Sequence, residues 1–290
     1  MLTIITFFFL VGLMKSPAHS TNANPSGLPG DYGEVIFQYK EKNPNQLYII
    51  GMGHRDTLTR SNGERTSRIQ AEVYKIGEWV IRNKGVQLLL PEAFFAEDLR
   101  KTTEKGGRSR YLPAVSGAGN MEYLERIFSD DRTFVNAEML LEESFPLVLR
   151  QVEDQTLYQT VYEDIRLLAG SKEDAEDISL IRSELHYDQQ RRVATMLQKI
   201  PRIIDGEFLE GRVGSKKALF TIGLSHIADI ISYLEEGKIT LHSPLFPPVK
   251  HKDYVEELSL AKEGFGISVI LPKTLVNDCE TMERKKLKGF

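Results

Sequence analysis

Leu47-Tyr48-Ile49-Ile50-Gly51-Met52-Gly53-His54 is the stretch that decides the fold. Four apolar residues in a row, with no polar alternation, read as a strand buried on both faces, the pattern of a parallel strand held between helices. Two glycines end the run and a histidine follows. Downstream, Ile69, Val73, Ile76 and Val80 recur at helical spacing, and Gly85 stops that helix. Val86 to Leu90 is a second continuous apolar run, closed by Pro91. Strand, amphipathic helix and strand make a βαβ unit, whose two strands lie parallel.

Working outward, Phe134-Val135 reads as a third short strand. Residues 142–205 carry many charges, few glycines and helical apolar spacing, as at Leu157, Val161, Ile165 and Leu168, which predicts a helical lobe inserted between strands. The β pattern resumes at Ala218-Leu219-Phe220-Thr221-Ile222. Gly223 ends it, and a helix from about His226 to Glu236 follows, with Ile227, Ile230, Ile231 and Leu234 inward and Gly237 as its stop. Ile239 to Leu241 and Ile267 to Leu271 are further strands. The expected fold is α/β, a central mostly parallel sheet with flanking helices and an inserted helical lobe.

Ahead of this body, Leu2 to Met14 are almost wholly apolar and precede the small residues Ser16, Ala18 and Ser20, which predicts a signal peptide over 1–20. The run falls short of the roughly 20 residues that span a bilayer, so no stable membrane span is expected once the leader is removed. The chain is expected to be exported, to the periplasm or beyond the cell. Residues 21–45 are rich in Asn, Pro, Gly and Ser and read as a linker, with Val35 to Phe37 as a candidate edge strand, and the folded domain is expected over 46–290.

The 290 residues are 41% apolar and 27% charged, a globular composition, and the net charge of −4 offers no general attraction to nucleic acid or anionic lipid. A single cysteine, Cys279, excludes an internal disulfide and a zinc-finger pattern, and a monomer is the expectation.

Loops leaving the carboxyl ends of parallel strands form the rim where α/β proteins place ligands. His54 follows the first strand, Glu92 the second and His226 the later one, so the topology brings the three to one rim. Two imidazoles and a carboxylate suit a divalent ion such as Mn, Co or Zn with open positions for water and substrate. Gly51-Met52-Gly53-His54 and Gly223-Leu224-Ser225-His226 repeat one Gly-x-x-His pattern. Gly51 and Gly223 permit a sharp exit from each strand and count with the cofactor-binding positions.

These residues resemble the TraB/GumN/Tiki family, within a wider superfamily that includes the haem-binding lipoprotein ChaN and the erythromycin esterases. The likeness runs from Gln46 to Leu271 and rests on Tyr48 to His54, on Leu90-Pro91-Glu92 and on Phe220 to His226. It implies a metal-dependent hydrolase acting on peptide bonds through His54, Glu92 and His226. It also implies an arginine-rich helix before the second Gly-x-x-His, matched by Asp188-Gln189-Gln190-Arg191-Arg192-Val193-Ala194. Arg191 is the candidate there, to stabilise an oxyanion, to hold a substrate carboxylate or simply to form a surface ion pair. Two alternatives share the same rim: a ChaN-like protein holding haem or metal without turnover, and a metal-free esterase-like hydrolase with His54 as general base.

Overall fold

Every residue of the decisive strand is buried, and its position in the sheet explains why. The computed structural model describes residues 27–53, 63–95, 120–130, 135–170, 175–241 and 254–279. It contains a six-stranded sheet in the order β1 (Gly33–Tyr39), β8 (Gly266–Pro272), β2 (Gln46–Met52), β5 (Lys217–Gly223), β3 (Leu88–Pro91) and β4 (Val148–Leu149). All neighbours are parallel except β1 with β8. The α/β expectation is met. β2 lies between β8 and β5, so neither its faces nor its edges meet water.

Alternation along the strands divides the core in two. On one face, Tyr48, Ile50, Leu89 and Leu219 pack against α1 (Glu64–Lys84), α2 (Met121–Phe128) and α3 (Ala137–Ser144). On the other, Leu47, Ile49, Leu90 and Phe220 pack against α5 (Ala175–Leu209) and α6 (Ile227–Glu236). Ile69, Val73, Ile76 and Val80 are the buried stripe of α1, as their spacing predicts, each contributing roughly 1.5–3 kcal/mol by leaving water. α1 and α6 stop at Gly85 and Gly237, both left-handed, where a side chain would be strained.

Four expectations change in detail. Residues 21–45, read as a linker with a candidate edge strand at Val35 to Phe37, include that edge strand as β1, and Leu28 is already in the core, so the folded body starts well before Gln46. A bulge between Val35 and Phe37 breaks the β1 alternation. Phe134 lies outside the described residues, and Val135 is not in a strand: it is a buried approach to α3, whose first turn Asn136 caps by accepting from the Met139 N–H at 2.9 Å. Burial of an isolated apolar residue looks the same in sequence whether or not it joins a ladder. β6 (Lys238–Leu241) is a strand, but it pairs with β7 (Tyr254–Glu257) in a separate two-stranded sheet. Finally, the segment expected as a lobe forms α4 (Gln155–Gly170) and α5, and Val193, Met196, Leu197, Ile200 and Ile204 of α5 lie directly on the main sheet. The predicted leader over 1–20 lies outside the described residues, among which no helix is long and apolar enough to cross a membrane.

Candidate active site

The strand register sets the rim. β5 runs between β2 and β3, pairing Met52 with Gly223 on one side and Thr221 with Pro91 on the other. The ladder continues one residue further, because the Glu92 N–H donates to the Thr221 carbonyl at 3.0 Å. Glu92 therefore sits over the end of β5. The chain then turns through Ala93, which has a left-handed φ of 58°.

Both oxygens of Glu92 are engaged by fixed donors. The Gly223 N–H donates to Oε2 at 2.5 Å, and Arg192 Nη2 donates to Oε1 at 2.7 Å. His226, last residue of the short 3-10 turn Leu224–His226, places Nε2 3.5 Å from the same Oε1. Only 4% of the Glu92 side chain and 6% of the His226 side chain are exposed, so their interaction is little screened. The sequence expected Glu92, His226 and Gly223 at one rim, and the structure brings these three together.

Arg192 is held in turn by Glu153, on the segment that follows β4. Nε donates to both Glu153 oxygens at 3.0 Å, and Nη2 donates to Oε2 at 2.5 Å. Glu153 also accepts from the N–H groups of Asp154 at 3.1 Å and Ala93 at 3.4 Å, which ties the turn after Glu92 to the same carboxylate. Burial alone would lower the Arg192 pKa; the hydrogen bonds and charges of Glu153 and Glu92 outweigh it and hold the guanidinium above its ordinary value. The Tyr158 ring lies 5.2 Å from the guanidinium carbon, and Phe95 meets Tyr158 edge-on at 5.1 Å. Burial pushes the Tyr158 phenol up, and the Arg192 charge opposes that.

Arg191, the arginine expected here, points elsewhere. It is exposed and lines a groove of about 1020 Å³ between α5 and the β6–β7 sheet, with Lys199, Arg202 and Tyr254. The arginine that meets Glu92 is its neighbour. Helical phase is the reason: Arg192 shares a stripe with the buried Met196 and Ile200, whereas Arg191 shares one with Thr195 and Arg202. Gly51 has a packing role in this structure, since a Cβ there would lie 2.6 Å from Leu271 Cδ2 and 2.7 Å from Ile227 Cγ1. His54 lies outside the described residues. Gly53 just before it is anchored, its carbonyl accepting from the buried Gln70 side chain at 2.8 Å, while Gln70 Oε1 accepts from the Ala137 N–H at 2.8 Å.

Comparison of the chain with family models, curated proteins and solved structures finds no match. The chemistry must be read from the cluster. Two carboxylates, Glu92 and Glu153, face the one Arg192 guanidinium. The 3.5 Å between His226 Nε2 and Glu92 Oε1 is longer than an ordinary hydrogen bond. It matches the roughly 3.4 Å separating two ligands of a tetrahedral ion with bonds of about 2.0–2.2 Å. Among the described residues no three His, Cys, Asp or Glu side chains form a metal-ligand group, and Glu92 and His226 supply two. Glu153 is the member of the cluster that sequence reasoning missed, because it follows a strand of only two residues that gives no periodic signal.

Proposed function

We propose that this protein is an exported, monomeric, metal-dependent hydrolase of peptide bonds, with its site at the carboxyl ends of β2, β3 and β5. The observation that carries the reading is the buried His226–Glu92 pair, spaced 3.5 Å apart over the end of β5. A divalent ion such as Mn, Co or Zn would be held by Glu92 and His226, with His54, two residues past the end of β2 in the sequence, as the third ligand. When bound, such an ion supplies Lewis acidity toward an acyl carbonyl and toward water. The resemblance of the two Gly-x-x-His segments and the intervening Glu92 to the TraB/GumN/Tiki group supports peptide bonds as the substrate class.

The chain's own groups have separable tasks. The Gly223 N–H and Arg192 fix the Glu92 carboxylate from two directions, so that Oε1 faces His226 in one orientation. These bonds to an ionised acceptor are of the stronger kind. Glu153 fixes Arg192. The imidazole, backed by α6, presents Nε2 toward the carboxylate.

Glu92→Gln tests the assignment because it keeps the volume and removes the charge. Turnover of a peptide library by purified protein is expected to disappear in this variant and in His226→Ala, with circular dichroism unchanged. Loss of metal together with turnover marks Glu92 as a ligand, and retained metal with lost turnover marks it as a general base. Full turnover in either variant would overturn the proposal.

A further inference from the structure

The face of α5 that the rim does not use carries two arginines without partners. Arg191, Thr195, Gln198 and Arg202 follow one another at spacings of four, three and four, so they form a single stripe. That stripe is one wall of the groove of about 1020 Å³ between α5 and the β6–β7 sheet. Tyr254 and Glu256, two apart on β7 and therefore on one side of it, stand on the opposite wall. Among the described residues that line it, Arg191, Lys199 and Arg202 face the one carboxylate of Glu256, on a chain whose net charge is −4. Lys199 is paired with Asp154 at 3.2 Å, and Glu256 accepts from the Tyr254 hydroxyl. Among the described residues, the Arg191 and Arg202 side chains have no hydrogen-bond or ion-pair partner, and both are exposed. Two cations at the ends of one hollow, where low-dielectric walls focus their field, attract an anion.

Spacing decides what kind of anion fits. Arg191 and Arg202 are eleven residues apart, about three turns and about 16 Å along the helix. The one other cation of the described lining, Lys199, is already offset by Asp154. A nucleic-acid strand, with a phosphate about every 3.4 Å in a duplex, would leave its middle charges unmet. An extended peptide rises about 3.3 Å per residue, so carboxylates about five residues apart reach both arginines. The uncharged residues between them then lie along Ala194, Thr195 and Leu241. We propose that this groove docks an extended acidic peptide segment, with one carboxylate on Arg191 and a second, about five residues away, on Arg202. The inference goes beyond the hydrolase reading and does not depend on it, because it uses a different face of α5 from the one that carries Arg192.

The probe is the capped peptide acetyl-Asp-Thr-Tyr-Ser-Thr-Asp-amide, titrated into the full chain by isothermal calorimetry at about 0.05 M ionic strength, where screening is weak. Arg191→Gln and Arg202→Gln should each weaken binding about fivefold, and the double variant about twentyfold. Both side chains are exposed, so these variants keep the fold, which circular dichroism checks. Arg65→Gln, which removes an exposed cation from α1 on the other side of the sheet, should bind as wild type. The same residues reordered as acetyl-Thr-Tyr-Asp-Asp-Ser-Thr-amide should bind about fivefold more weakly, because one arginine goes unmet. Hexathymidylate, a source of closely spaced phosphates, should not displace the first peptide. Equal affinity for the two peptides, wild-type binding by the double variant, an equal loss in Arg65→Gln, displacement by hexathymidylate, or no binding to the wild type would each overturn the proposal.

Discussion

Gly51→Ala probes whether the first glycine of the Gly-x-x-His segment acts through packing. The added methyl would lie 2.6 Å from Leu271 Cδ2, 2.7 Å from Ile227 Cγ1 and 3.0 Å from Ile227 Cδ1. Carbon atoms rest at about 3.5–4.0 Å, so the overlap is on the order of 1 Å. Neither neighbour can swing aside, because Leu271 is 1% exposed and Ile227 2%. Ile227 opens α6 next to His226, so relief by backbone movement would shift the imidazole as well. Overpacking of this kind costs about 1–3 kcal/mol. Urea denaturation followed by circular dichroism should report that loss in the single variant. Ile227→Ala removes the atoms in the way, so the double variant should lose less than the sum of the singles, with a coupling of about 0.5–3 kcal/mol. Additive losses, or a Gly51→Ala protein as stable as wild type that has nonetheless lost its metal, would refute the packing argument.

Arg192→Met leaves Glu92 and Glu153 facing each other without their shared cation, and about 3–5 kcal/mol of unfolding free energy should be lost. Pairing it with Glu153→Met should recover part of that in a urea melt, and strict additivity would disprove the coupling. At the far end of α5, hydrogen bonds from Arg212 and Arg150 hold the Glu207 carboxyl below its ordinary value. A depressed folded-state pKa contributes stability above the unfolded value that disappears as pH falls through the folded one. Glu207→Gln should therefore melt below wild type at about pH 7, with the gap shrinking as pH falls below the ordinary carboxylate range. A gap that persists or widens in acid would contradict the pairing.

The sequence made β2, α1, β3, β5 and α6 legible because each carries its signal locally: a continuous apolar run, a helical stripe or a terminal glycine. Glu92 and His226 followed from those elements, since a residue just past a parallel strand can only reach one rim. What escaped depends on partners distant in the chain. Only the apolar patch Val35 to Phe37 announces β1; its full length from Gly33 to Tyr39 comes from pairing with β8, Gly33 against Pro272. β4 is two residues long and exists by pairing with Leu88 and Leu89. Choosing Arg191 over Arg192 was a matter of helical phase, and the stripe of Met196, Ile200 and Ile204 four residues apart was the usable clue. Glu153 had no such clue, because its role is defined by what Arg192 requires.

Metal stoichiometry is the most direct test of the central claim. Full-length protein, dialysed after exposure to Mn, Co or Zn, is analysed by inductively coupled plasma mass spectrometry alongside Glu92→Ala and His226→Ala. The account predicts about one divalent ion per wild-type chain and none retained in either variant, with both variants still folded. A wild-type chain that retains no ion, or a His226→Ala chain that retains it in full, would contradict the claim that Glu92 and His226 share a metal.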